Sequence, residues 1–101
     1  MRIETVQLAD LPEIKHPAPA RVANARAHLD RGDNMPPILL LRSNRGLEVY
    51  DGISRITAAR ERGLTELPAV IVDTTTKAVD LRAKLSKYPS IAEAWEALLE
   101  T

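Results

Sequence analysis

The run Ile38-Leu39-Leu40-Leu41 sets the tightest limit on what this chain can become. It is short, apolar and unbroken. Pro36 and Pro37 precede it, and the polar turn Ser43-Asn44-Arg45-Gly46 follows. Such a run reads as a strand covered on both faces. The chain therefore calls for a sheet with helices packed on it, and 101 residues are enough for one such domain. Phenylalanine is absent and aromatics are 3% of the chain, so the core must be built from Leu, Val, Ile and Ala. The expected class is α/β or α+β, with a small mixed sheet of about four strands and packed helices.

The other elements arrange themselves around that strand. Residues 2–8 mix apolar and polar side chains and read as a short edge strand, followed by a turn or loop over 9–14 around Pro12. Pro17 and Pro19 keep the chain extended up to about residue 19. Pro19 suits the first turn of a helix on which Val22, Ala25 and Leu29 share a face, and Gly32 ends it. Residues 33–37 form a turn. The short link after residue 42 makes 38–42 and 47–50 an antiparallel hairpin. A helix over 53–62 follows, with Ile53, Ile56 and Ala59 or Arg60 on one face and Gly63 at its end. Residues 64–68 read as a loop and 69–72 as a buried strand. The latter is expected parallel to 47–50 through a right-handed crossover.

The remaining residues favour two helices. Thr74, Thr75 and Thr76 offer N-caps for a helix over about 76–86, and Pro89 breaks it. Ser90 and Glu93 form a capping box for a helix over 91–100, which buries Ile91, Trp95 and Leu98 or Leu99. These helices either fold back on the sheet or pair with another subunit.

Composition removes several chemistries. Lys and Arg number 14, as do Asp and Glu, so no global basic field exists for strong non-specific nucleic-acid binding. A local basic patch is still open. There is no cysteine, which excludes disulfides, thiolate catalysis and zinc–thiolate sites. His16 and His28 are too few and too far apart in sequence to suggest a metal cluster. No apolar run reaches the roughly 20 residues that span a bilayer. The first residues lack the apolar core of a signal peptide, so a cytoplasmic protein is expected.

The chemistry-bearing stretch is Val49-Tyr50-Asp51-Gly52-Ile53-Ser54-Arg55. It reads as a strand end, a two-residue break and a helix start. The first N–H groups of a helix have no intrahelical partner and can receive an anion. Asp51 either shapes the turn or serves phosphoryl transfer, by binding Mg²⁺ or accepting a hydroxyl proton. Ser54 either caps the helix or binds phosphate. Arg55 in the first turn opposes the helix dipole unless an anion is near.

Three blocks in this order resemble the N-terminal domain of the ParB and sulfiredoxin superfamily. They are Pro36-Pro37-Ile38-Leu39-Leu40, then Val49-Tyr50-Asp51-Gly52-Ile53-Ser54-Arg55-Ile56-Thr57-Ala58-Ala59, then Gly63-Leu64-Thr65-Glu66-Leu67-Pro68-Ala69-Val70-Ile71-Val72. The resemblance covers roughly residues 3–73 of a single domain spanning 1–101, with 74–101 as a helical extension. It implies a nucleotide whose phosphates sit at the start of the Arg-containing helix. Gly52, Arg55 and Ala58 match the family's glycine, arginine and packing alanine. Asp51 matches an aspartate of its kinase-like branch. His16 falls in a loop that approaches the nucleotide in that family, flanked by Glu13 and Arg21. Glu13 is the nearest match to a catalytic glutamate of the kinase-like branch.

The departures narrow the reading. Ile53 stands where sulfiredoxins carry their cysteine and where segregation proteins carry a glutamate. Ser54 replaces a histidine or arginine, and Thr57 a second arginine. Sulfiredoxin chemistry is thereby excluded, and the DNA-reading domain of full ParB proteins does not fit after residue 73. The expected function is binding of ATP or CTP with Mg²⁺. Phosphate would lie on Arg55 and the backbone of Gly52, Ile53 and Ser54. Asp51, with Glu13, would be the metal-binding or catalytic carboxylates. NTPase, phosphotransferase and nuclease activities all stay open. One alternative is a DNA-binding or nuclease accessory of a plasmid or phage system, touching DNA through Arg42, Arg45, Arg60 and Arg62. Another is a non-catalytic domain that dimerises through its C-terminal helices.

Overall fold

The computed structural model describes residues 2–32 and 35–99. Part of the expected turn at 33–37 and residue 100 of the expected last helix lie outside those residues. The chain runs β1 (Glu4–Gln7), a 3-10 turn (Leu8–Asp10), α1 (Pro19–Asp30), β2 (Ile38–Ser43), β3 (Gly46–Asp51), α2 (Ile53–Glu61), β4 (Glu66–Val72), α3 (Thr75–Leu85) and α4 (Ile91–Leu99). The four strands form one mixed sheet in the order β1-β4-β2-β3.

β2 is covered on both faces, as its unbroken apolar run demands. Ile38, Leu39 and Leu40 are fully buried. Alternation along the strand divides them between two cores. Ile38 and Leu40 pack with Ile56 and Ala59 of α2 and with Ala69 of β4. Leu39 points the other way, with Val70, into a core closed by Leu81 and Leu85 of α3 and Ala94 and Trp95 of α4. α1 lies on the outside of α2, where Val22 and Ala25 meet Ala58. The sheet thus carries α2 and α1 on one face and α3 and α4 on the other. Leu81 and Leu85 of α3 and Ala94 and Trp95 of α4 fold back and are buried against this chain's own sheet.

Three expectations about the strands need correction. β4 does not lie beside β3. It pairs in parallel with β2, through Ile38 opposite Ala69 and Leu41 opposite Val72, and in antiparallel with β1. β3 takes the far side of β2 as its antiparallel hairpin partner. Hence β3 and β4 run in opposite directions, and the crossover joins β2 to β4. The most buried strand can take a partner on each edge, and the hairpin turn assigns β3 to one of them. The segment 64–68 is also not wholly a loop, because β4 begins at Glu66 and contains Pro68. Pro68 lies opposite Thr5 of β1, one residue before β2 begins to pair at Ala69. At that point the strand has a neighbour on one side only, where a missing N–H is tolerated. The first strand is shorter than 2–8, and the chain turns at Leu8.

The caps follow the sequence closely. Gly32, Gly46 and Gly63 have positive φ at the turns assigned to them. The Thr74 hydroxyl accepts from the Lys77 N–H at 3.1 Å, and the Ser90 hydroxyl accepts from the Glu93 N–H at 3.2 Å. Among the described residues no helix is long and apolar enough to cross a membrane.

Candidate functional site

The break between β3 and α2 lies at one end of the sheet, beside Pro36 and Pro37 at the entry to β2. Gly52 occupies the N-cap position of α2 with φ 116° and ψ 15°, and no side chain caps the helix there. The first intrahelical bond runs from the Ile56 N–H to the Gly52 carbonyl at 2.9 Å. The N–H groups of Ile53, Ser54 and Arg55 precede it and have no intrahelical acceptor. The glycine has a second reason to be there. A Cβ at position 52 would collide with the Ile38 side chain, whose own Cβ would lie 2.7 Å away. Close packing of the break on β2 therefore requires glycine even without a ligand.

Arg55 turns inward and is 9% exposed. Its Nη1 donates to the carbonyls of Pro36 and Pro37, both at 2.7 Å, and its Nη2 donates to Asp51 Oδ2 at 2.9 Å. Burial pushes its pKa down, and the charge and hydrogen bond of Asp51 push it back up. An arginine keeps its proton under such opposing pulls. Arg55 thus pins residues 36–37 and Asp51 to the start of α2. It does so because a buried guanidinium needs acceptors, and the two carbonyls before β2 supply them.

A cavity of ≈ 630 Å³ opens at this break. Tyr50, Asp51, Gly52, Ile53, Ser54 and Arg55 form its floor, beside Met35 and Pro36. Arg21, Asn24 and His28 of α1 line it from one layer of the fold. Arg82 of α3 and Ser90, Ile91 and Ala92 at the start of α4 line it from the other. The volume is within the range of small-molecule sites. Three arginines face one carboxylate here, and that carboxylate is already paired with Arg55. Arg21 and Arg82 have no ion pair or side-chain hydrogen bond among the described residues. In a chain of zero formal net charge, the cavity therefore carries two unneutralised cations.

Of the residues singled out from sequence, Arg21, Asp51, Gly52, Ile53, Ser54 and Arg55 come together at this cavity. Glu13 and His16 do not line it; both are exposed, on the segment before α1. The four arginines assigned to DNA do not form one face. Arg60 is half-buried, and its guanidinium donates to the carbonyls of Leu8, Leu11 and Pro12 at 2.9–3.1 Å. Arg62 pairs with Asp30 at 2.7 Å. Arg42 and Arg45 are exposed on the β2–β3 hairpin. No group of three or more His, Asp or Glu able to hold a metal occurs among the described residues.

Sequence reasoning missed Arg82, Asn24, His28, Tyr50 and Ser90 as cavity residues. Tyr50 was one residue from the break and was within reach of inspection. Arg82 carried no signal, because only the fold-back of α3 brings it to the start of α2.

The fold is shared with solved structures of low sequence identity. Sulfiredoxin from Arabidopsis thaliana superposes with a TM-score of 0.63 at 15% identity, over 84% of this chain and all of that one. The truncated chromosome-partitioning protein ParB from Caulobacter crescentus, complexed with CTP-gamma-S, gives 0.63 at 16% identity, over 89% of this chain and 54% of that one. C-terminally truncated SbnI from Staphylococcus aureus gives 0.62 at 20% identity, over 72% and 31%. The chain therefore spans about half of that ParB chain and under a third of that SbnI chain. It has a ParB/sulfiredoxin-like fold. No protein-family profile and no curated protein sequence matches it.

Proposed function

We propose that this domain binds a nucleoside triphosphate, CTP or ATP, in the cavity at the β3–α2 break. The observation that carries the reading is the joining of an uncapped helix N-terminus to two unneutralised arginines in one ligand-sized space. Phosphate would lie on the free N–H groups of Ile53 and Ser54, where the helix dipole favours negative charge. The CTP-gamma-S carried by the ParB neighbour of the same fold supports a nucleotide as the ligand.

Mg²⁺ fits this site in one mode only. Asp51 offers a single carboxylate, half-buried, with Oδ2 already accepting from Arg55. Mg²⁺ commonly takes one or two carboxylates and completes its shell with phosphate oxygens and water. Asp51 would supply its other oxygen to such an ion. The geometry supports binding more than chemistry, because Glu13, the second expected carboxylate, lies away from the cavity lining. A DNA-facing role finds less support, since Arg60 and Arg62 are engaged within the fold.

Calorimetric titration with CTP and with ATP, each with Mg²⁺, tests the reading. Saturable heat with at least one of them is the expected outcome. Absence of heat with both at millimolar nucleotide would remove nucleotide binding from consideration.

A further inference from the structure

We infer that Arg21 and Arg82, and not Arg55, are the cations that grip the phosphate chain, so that the ligand bridges the two helical layers across the end of the sheet. The inference rests on the nucleotide reading for its ligand but not for its geometry. Arg55 occupies the position where an arginine for phosphate was expected. Its Nη1 is taken by two backbone carbonyls and its Nη2 by Asp51. Three of its five N–H donors are thus committed inside the fold, and its side chain is 11% exposed, so it has less to give a ligand than a solvent-facing arginine. Arg21 and Arg82 are exposed, line the same cavity and have no partner among the described residues.

Their placement decides the rest. Arg21 lies on α1, which reaches the sheet through α2. Arg82 lies on α3, which covers the opposite face with α4. Both arginines line the one cavity at the end of the sheet. A ligand with one anionic group would satisfy one arginine. A polyphosphate chain has charge spaced along its length and can engage one arginine from each layer. The structure thus assigns the site to a ligand with two or more linked phosphates. Ser90, Ile91 and Ala92 at the start of α4 line the same cavity, so a ligand held by Arg82 should shield their amides.

The test uses inorganic triphosphate and orthophosphate as probes, with CTP and ATP in parallel. The proteins are wild type, Arg21→Gln, Arg82→Gln and Arg82→Lys. Arg82 is exposed, so the variants should melt like wild type by circular dichroism. Wild type should bind triphosphate at least tenfold more tightly than orthophosphate. Each glutamine variant should lose about tenfold in triphosphate affinity, the loss of one charge-assisted contact, and Arg82→Lys should recover part of it. Triphosphate should slow amide exchange at residues 90–92 in wild type and not in Arg82→Gln. Tight nucleotide binding with an Arg82→Gln variant equal to wild type would overturn this inference and leave the nucleotide reading intact. Triphosphate binding that depends on Arg82 without nucleotide binding would do the reverse. Absence of both would overturn both.

Discussion

The two walls of the cavity are built on different principles. The wall at the β3–α2 break is wired into the fold. Gly52 touches Ile38, Arg55 reaches two carbonyls of the chain before β2, and Asp51 closes the network. The wall made by α3 and the start of α4 offers Arg82 to solvent and anchors itself lower down through Leu81, Leu85, Ala94 and Trp95. Polar groups hold the first wall in place, and apolar burial holds the second. The residues that look most like a ligand site in sequence are thus the ones the fold itself needs. Of the two cations left for a ligand, Arg21 is singled out only through the family resemblance, and Arg82 is passed over in sequence.

If that contrast is right, the largest effect belongs to Gly52→Ala. The new Cβ would overlap the Ile38 side chain, and residue 52 would have to hold φ 116° with a side chain. Overpacking and backbone strain each cost about 1–3 kcal/mol, so a loss of about 4 kcal/mol is expected. That is a large share of the roughly 5–15 kcal/mol that a domain has. Urea denaturation followed by circular dichroism measures it. An unfolding free energy within about 0.5 kcal/mol of wild type would mean that the break is not packed as described.

Arg55→Met comes next. Methionine keeps most of the volume but leaves the Pro36 and Pro37 carbonyls without their donor. Hydrogen bonds from a charged group contribute about 1.5–3 kcal/mol each, and partial access of water to the Pro36 carbonyl reduces the sum. A loss of about 2–3 kcal/mol is expected, against a change within about 0.5 kcal/mol for Arg82→Gln on the exposed wall. The same denaturation curves check both. Equal effects from the two variants would erase the distinction between the walls.

How far the sequence revealed this molecule depended on how local each feature was. The doubly covered strand at 38–41, the hairpin, the glycine turns and the caps at Thr74 and Ser90 each follow from a few adjacent residues, and each is present. The neighbour of β4 did not follow, because the choice between β2 and β3 depends on which edge the hairpin leaves open. Pro68 obscured the start of β4, since a proline in a strand is acceptable only where one partner is missing, and β1 and β2 decide that together. At the site, Asp51, Gly52 and Arg55 were legible as a group because they lie within one five-residue stretch. Their employment was not, because Pro36 and Pro37 are 19 and 18 residues away from Arg55 and their carbonyls carry no signature in the sequence. The spread of Arg42, Arg45, Arg60 and Arg62 was hidden for the same reason. Each reads as a surface charge until its neighbours in space are known.

A smaller effect than that of Arg55→Met tests the apolar wall most directly. Trp95 is 1% exposed, and its Nε1 is buried without a hydrogen-bond partner among the described residues. Among the described residues the first wall leaves no such side-chain atom, because Arg55 has its acceptors. Trp95→Phe removes the unpaired N–H, relieving a cost of about 1–3 kcal/mol. It also deletes part of a large buried ring, which costs a comparable amount through lost contacts and a residual cavity. The two terms oppose each other, so the net change should be within about 1 kcal/mol in either direction. Loss of more than 2 kcal/mol in urea denaturation would show that Nε1 does have a partner, such as a buried water, and that polar wiring extends to α4. The variant also bears on ligand binding. A wall held only by apolar burial should tolerate the exchange and keep its triphosphate affinity, because Arg82 and the start of α4 depend on where Trp95 packs and not on its nitrogen.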